Sequence, residues 1–114
     1  MTPFDPGDVV LVRFPFTDLT TIKKRPAVII SPRDLAQRHK DVVLIALTSR
    51  PQPDGDSALA DWRAAGLPKE TWFKPLIGTI AASLVERRLG KLSPADLAGV
   101  SSMLRRLIAP VFTS

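Results

Sequence analysis

The chain has 114 residues, the length of one domain, and it has no cysteine, which excludes disulfides, thiolate metal sites and a cysteine nucleophile. Sixteen Lys and Arg against eleven Asp and Glu give a net charge of +5, which favours a polyanionic partner such as nucleic acid or an acidic protein segment. The first residues lack the basic and then apolar pattern of a signal peptide, and the apolar runs are of strand length. We therefore expect a single cytoplasmic domain over residues 1–114, without a membrane span.

Three apolar runs predict the first strands. They are Val9–Phe14, Pro26–Ile30 and Asp41–Leu47. The polar stretch Phe16–Lys24 between the first two predicts a mobile loop. Because the runs are nearly continuous rather than alternating, we expect these strands to be buried on both faces.

The second half of the chain predicts another strand and then a helix. Thr71–Ile80 suits a strand or hairpin, whereas Leu84–Leu89 fits a strand or a helix equally well. Ser93 can cap the final helix, with Asp96 three residues later as in a capping box. Apolar residues then recur at helical spacing until Pro110, which is expected to end the regular helix. Short strands followed by one amphipathic helix predict a mainly β, α+β barrel with a packed C-terminal helix.

Several kinds of catalytic site are excluded by residue type. His39 is the only histidine, so a pair of acid/base histidines and a histidine-rich metal site are impossible. Its charged surroundings favour a solvated role. The carboxylates are scattered without the spacing of a cation cage, and no Gly-rich phosphate loop occurs. No metal or cofactor is expected.

Two short segments remain as candidate sites. In Lys23–Pro26, Arg25 precedes a proline, which favours an extended backbone. Its guanidinium could there present a planar fork of donors to a phosphate, although a solvated basic loop end is the simpler interpretation. Thr48–Arg50 follows the third strand. If the second and third strands pair, Thr48 would lie beside Arg25; the simpler interpretation is that hydroxyl residues merely close the strand.

Short segments spread over nearly the whole chain form a recognisable order. They are Gly7–Val12, Phe14–Leu19, Lys24–Ile29, Ala46–Ser49, Asp61–Leu67, Trp72–Pro75 and Leu89–Ser93. In these segments and in their order along the chain, the sequence resembles the MazF/PemK toxin family. The resemblance implies an SH3-like barrel of short strands with a C-terminal amphipathic helix. It also implies a homodimer that is neutralised by an antitoxin with an acidic or disordered tail.

The resemblance further implies metal-free cleavage of single-stranded RNA. The 2′-hydroxyl of the substrate would attack the adjacent phosphate, leaving a cyclic phosphate and a free 5′-hydroxyl. Arg25, which maps onto the arginine of the family's Arg-Pro motif, would stabilise the phosphorane and donate a proton, and Thr48 would hold the scissile phosphate. Residues expected to contact RNA are Lys23, Lys24, Ser49, Arg50, Thr71, Trp72 and Lys74.

The stretch Trp72–Ile80 departs from well-known members, which carry an arginine and an acidic residue there. This stretch contains no acid, and Lys74 is the candidate for the missing positive charge. Its Trp-x-Lys-Pro segment resembles a PemK-like subgroup. Trp62 and Trp72 could stack on bases, although a place in the core or dimer interface is preferred for Trp62.

Two other classes of function stay open. A non-enzymatic toxin could block a protein target such as DNA gyrase, using final-helix residues such as Met103 and Arg106. A catalytically inactive RNA-binding regulatory module would keep salt-sensitive RNA affinity without cleavage. The presence of both Arg25 and Thr48 favours the ribonuclease.

Overall fold

A computed structural model, which describes residues 4–14, 23–53 and 57–113, contains one antiparallel five-stranded sheet and two α-helices. The strands are β1 (Asp8–Phe14), β2 (Lys23–Ile29), β3 (Asp41–Thr48), β4 (Trp72–Ala81) and β5 (Val85–Lys91). The helices are α1 (Arg33–His39) and α2 (Pro94–Thr113). The strand order is β4-β3-β2-β1-β5, so β1 pairs with both β2 and β5. The predicted mainly β, α+β fold with a C-terminal helix is confirmed.

Both faces of the sheet are covered by apolar side chains, because neighbouring residues of a strand point to opposite faces. Val9 of β1 belongs to one cluster, whereas Val10 and Val12 belong to another. The cluster that contacts α2, called here the helix-side cluster, includes Val9, Val28, Ile45, Phe73, Val100 and Met103. The second cluster includes Val10, Val12, Ala27, Ile29, Ala36, Val42 and Leu44. Burial on both faces, expected from the continuous apolar runs, is thus confirmed.

Helix α1 was not expected, since the sequence indicated only a charged connection around residues 37–40. The seven-residue helix buries one side chain, that of Ala36, so its apolar face is too short to produce a periodic pattern. Asp34 near its start and Arg38 near its end complement the helix dipole. His39 is exposed, in agreement with a solvated role.

The predicted loop between the first two strands needs a correction. Lys23 and Lys24 belong to β2, because they pair with Phe14 and Arg13 of β1. The assignment of these two lysines to a loop is therefore wrong, and the remainder of that loop, residues 16–22, lies outside the described residues. In the ambiguous stretch Leu84–Leu89, Leu84 ends a short 3₁₀ helix (Ala82–Leu84), and the remainder forms the start of β5 rather than an α-helix.

Helix α2 agrees with the prediction at its start but not at its end. Its start is confirmed: Ser93 Oγ accepts the backbone N–H of Asp96 at 3.2 Å. The predicted stop at Pro110 is wrong, since the helix continues to Thr113. Pro110 lies in the last turn, where its missing N–H removes a single intrahelical bond. Neither helix of the described segments is long and apolar enough to cross a lipid bilayer.

The carboxylate of Asp96 joins α2 to the segment that follows β3. Asp96 is only 3% exposed. Its Oδ1 accepts the backbone N–H of Ala60 at 2.7 Å, and its Oδ2 accepts that of Asp61 at 2.9 Å. One side chain therefore fixes segment 57–67 against the first turn of the helix.

The same segment packs closely against β5 at two glycines. Gly66 has a φ of +84°, which residues with a Cβ rarely adopt. A Cβ there would overlap the carbonyl oxygen of Leu89, and a Cβ on Gly90 would lie 2.5 Å from the carbonyl oxygen of Ala65. Two backbones thus meet where no side chain fits between them.

We expect Asp96→Asn to lower the free energy of unfolding by about 1–3 kcal/mol, because one buried backbone N–H loses its charged acceptor. Urea denaturation measures this difference. The control is Glu70→Gln, the same chemical change at an exposed carboxylate, which should stay within about 0.5 kcal/mol of the unmodified protein. Equal effects of the two variants would contradict the role given to Asp96.

We expect Gly66→Ala to lower the free energy of unfolding by about 1–3 kcal/mol or more. The added Cβ would overlap β5, and alanine is strained in the left-handed backbone conformation of this residue. Gly78→Ala is the matched control, because nothing lies within 4 Å of the added Cβ. In a strand this change should be neutral or stabilising by about 0.5–1 kcal/mol. Thermal or urea unfolding of both variants checks the difference; a Gly66→Ala variant as stable as Gly78→Ala would disprove the close packing.

Candidate active site

Strands β2 and β3 separate at the end where the sequence placed its two candidate segments. Their ladder pairs Ala27 with Ala46. The same register, extended by two residues along each strand, would set Arg25 opposite Thr48, but the ladder itself ends at Ala27 and Ala46. The ladder begins one residue after Pro26, which has no N–H to donate to it. The two strands therefore part here, and Arg25 and Thr48 lie on either side of the opening.

A cavity of about 430 Å³ lies at this opening. Its apolar lining consists of Leu11, Pro26, Leu47, Leu67, Pro68 and Leu89. Its hydroxyl residues are Thr48, Ser49 and Thr71. Its cationic residues are Lys24, Arg25, Arg50, Lys69 and Arg87. Gly66 completes the lining, so the segment that Asp96 holds in place forms one of the walls.

The charge of this lining has a single sign. Among the described lining residues there is no carboxylate and no histidine. In a concave site with low-dielectric walls, such a set concentrates positive potential and attracts anions. No group of three or more His, Cys, Asp or Glu able to hold a metal ion occurs within residues 4–14, 23–53 and 57–113. The cavity is suited to a polyanion.

One of the cations, Lys24, is engaged with a carboxylate beside the cavity. Its Nζ lies 3.0 Å from Glu86 Oε1, and Arg13 lies 3.4 Å from the same oxygen. The hydrogen bond from Lys24 is the main reason that the pKa of Glu86 is lowered. Because the Lys24 side chain is 54% exposed, this ion pair contributes little to stability. It restrains the ammonium group at the edge of the cavity.

The hydroxyls of the cavity differ in their availability. Thr48 Oγ1 accepts the backbone N–H of Arg50 at 3.1 Å, which uses a lone pair and leaves the hydroxyl proton for a ligand. Thr71 is 3% exposed, and its Oγ1 donates to the carbonyl oxygen of Lys69 at 2.8 Å. Thr48 is thus able to donate to a bound anion, whereas the hydroxyl of Thr71 is used in a hydrogen bond to the backbone of the cavity wall.

Other residues that the sequence assigned to the site lie elsewhere. Trp72 is half-buried opposite Thr48 in the β3–β4 ladder, and Lys74 is exposed on β4; neither lines the cavity. The side chain of Lys23 lies outside the described residues. Trp62 packs against the helix-side cluster, in agreement with the place in the core that was preferred for it over base stacking.

Sequence reasoning did not single out Lys69 and Arg87. Lys69 follows Gly66 in the wall held by α2, and Arg87 lies on β5, far along the chain from Arg25. Strand β5 comes next to β1 only through sheet pairing. No local pattern around Arg87 indicates that contact, since the stretch fitted a helix as well as a strand.

Comparison with known proteins gives one family and one fold. A family model for PemK-like, MazF-like toxins of type II toxin–antitoxin systems matches residues 5–108. No curated protein sequence matches the chain. The solved structure of a mycobacterial endoribonuclease in complex with its cognate antitoxin is 18% identical, with 96% of each chain covered and a TM-score of 0.73.

Two further solved structures agree with this fold. MazF from Deinococcus radiodurans is 19% identical, with 96% of this chain and 99% of that chain covered and a TM-score of 0.76. The toxin MazF-mt6 of Mycobacterium tuberculosis is 13% identical, with 87% and 93% covered and a TM-score of 0.69. These likenesses establish the fold, and the family model covers almost all of the chain. The chain belongs to the PemK-like, MazF-like family of toxins of type II toxin–antitoxin systems.

Proposed function

We propose that this toxin is a metal-independent, sequence-specific endoribonuclease that cleaves single-stranded RNA in the cavity between β2 and β3. The observation that carries the proposal is the meeting of Arg25 and Thr48 at one cavity whose described charged lining residues are all cationic. Residues 1–114 would form one toxin domain, acting in the cytoplasm on RNA.

The lining suits charge stabilisation during phosphoryl transfer. The 2′-oxygen of the substrate forms a bond to the adjacent phosphorus, and the bond to the 5′-oxygen breaks. The 2′-hydroxyl loses its proton, and the 5′-oxygen gains one. Negative charge on the phosphoryl oxygens is stabilised by the guanidinium of Arg25 and by the hydroxyl of Thr48, which are held by strand ends before the substrate arrives.

The shape of the cavity supports a single-stranded substrate. An unpaired strand can turn a base away from its neighbours and place it on an apolar surface. Leu11, Leu47 and Leu67 form such a surface next to the cations. A duplex would keep its bases stacked inside and present only phosphates. The proposed substrate therefore places one base against the leucines and its backbone along Arg25 and Arg50.

The proposed partners are an antitoxin and a second copy of this chain. The cationic lining would bind an acidic or disordered antitoxin tail as it binds RNA. For the homodimer, support comes from exposed apolar side chains on β4 and the end of α2. They are Leu76, Ile77, Leu107, Ile108, Val111 and Phe112. Burying such a set between two copies removes apolar surface from water.

The alternative of a non-enzymatic toxin has weaker support. Met103 and Arg106 line a smaller cavity of about 210 Å³ together with Pro75 and Leu107. Met103, however, is 5% exposed and belongs to the helix-side cluster. Its side chain is needed for packing and offers little surface to a protein target, so the ribonuclease is preferred. The inactive RNA-binding module differs from it only in cleavage, which one experiment measures.

We expect the purified protein to cut a long single-stranded RNA at discrete positions in excess EDTA, leaving 2′,3′-cyclic phosphate ends. Arg25→Ala should lower the cleavage rate by about two to three orders of magnitude, as losing a preorganised donor to the transition state does. Arg38→Ala, an exposed arginine of α1 outside the cavity, is the matched control and should cleave normally. Intact RNA with folded protein would remove the ribonuclease; equal rates for the two variants would remove Arg25.

A further inference from the structure

We propose that Arg87 is a second phosphate-binding residue of the cavity, contacting the RNA backbone from the side opposite Arg25. The inference rests on the proposed RNA substrate and extends it to a residue on another strand. It is carried by the pairing of the charged side chains on β5 and by the position of Arg87 in the cavity lining.

Three consecutive charged residues on β5 have different surroundings. Arg88 donates to the fully buried Asp8, with Nε 3.0 Å from its Oδ2. Glu86 accepts from Lys24 and Arg13. In the β1–β5 register Val10 pairs with Arg88 and Leu11 with Arg87, so these two arginines leave on opposite faces, whereas Glu86 lies at a register shift of the ladder. Arg87 is the member of the three that lines the cavity.

The register of the sheet places Arg87 across the cavity from β2. Arg87 pairs with Leu11 of β1, and Leu11 pairs with Pro26 of β2. All three line the cavity. Adjacent strands lie about 4.8 Å apart, so Arg87 starts roughly 10 Å from the strand that carries Arg25. Arg87 therefore lies across Leu11 from β2, and both it and Arg25 line the cavity.

Arg87 also has no carboxylate to neutralise it in the described parts of the chain. It forms no ion pair with any residue of 4–14, 23–53 or 57–113. The acids nearest in sequence or register, Glu86 and Asp8, are occupied by Lys24, Arg13 and Arg88. A guanidinium with unused donors in a concave cationic site is a binding group for phosphate, whose oxygens fit its planar fork.

This assignment replaces the one that the sequence suggested for the second positive charge. Lys74 was the candidate, but it is exposed on β4 and lies outside the cavity lining. Arg87 lines the cavity, and its planar guanidinium can bind a phosphate through two donors. We infer that Arg87 holds a phosphate next to the scissile one and so keeps the strand aligned with Arg25 and Thr48.

The test uses a single-stranded 2′-O-methyl oligoribonucleotide, which lacks the attacking hydroxyl and therefore reports binding without cleavage. Its Kd is measured over a salt series for the unmodified protein, Arg87→Gln, Arg87→Lys and the control Arg105→Gln, an exposed arginine of α2. Arg87→Gln should weaken binding and lower the slope of log Kd against log salt by about 0.7, the value for one single-strand phosphate contact. Arg87→Lys should restore the slope, and Arg105→Gln should not change it.

The outcomes separate the two proposals. A slope for Arg87→Gln equal to that of Arg105→Gln would overturn the role of Arg87, even if RNA is cleaved. Binding without cleavage of ordinary RNA would remove the ribonuclease while the slopes still decide on Arg87. A protein that binds no oligonucleotide would overturn both. Thermal midpoints identify a variant that has lost its fold; in that case Arg87→Thr, with a residue that strands favour, provides the neutral comparison.

Discussion

The buried carboxylate of Asp96 holds in place the chain segment that forms one wall of the cavity. Its two oxygens bind the N–H groups of Ala60 and Asp61, and the segment that they start reaches β5 at Gly66. Beyond Gly66 the chain lines the cavity through Leu67 and Lys69. The carboxylate of Asp96 thus holds one wall of the cavity without lining it. The same backbone segment therefore packs against β5 and lines the candidate site.

Several acids of the described residues form ion pairs, and none of these acids lines the cavity. Asp8 is fully buried with Arg88, and Asp5 makes a paired contact with Arg33, whose guanidinium lowers the pKa of that carboxyl chiefly by hydrogen bonding. The Asp8 carboxylate is buried while the Arg88 side chain is 33% exposed, and their ion pair joins β1 to β5. None of the described acids lines the cavity, so the charged residues of its lining are all cationic.

Much of the architecture could be predicted from local patterns. β1, β3 and the start of α2 follow from apolar runs, turn residues and a cap, which act within a few residues of chain. The failures have equally physical causes. Helix α1 buries only one residue, which is too few to produce a periodic apolar pattern. Pro110 does not end α2 because it lies in the last turn, where its missing N–H removes a single hydrogen bond. Lys23 and Lys24 have the polar character of loop residues, yet they belong to a strand because they pair with β1. That pairing cannot be read from the residue types of this stretch alone.

The residues of the candidate site fall into two groups: those predicted from local sequence and those brought in by contacts between distant parts of the chain. The sequence by itself determined the strand ends, the extended backbone before Pro26, the hydroxyl of Thr48 and the excess of positive charge, because these depend on residue type and immediate neighbours. Only the tertiary structure decided which cations share the cavity. It brought in Lys69 and Arg87 and left Lys74 outside, since the sheet register and the close packing of Gly66 on β5 join residues that are distant in the chain. Pairing between distant strands depends on the whole core, and no short stretch of sequence contains that information.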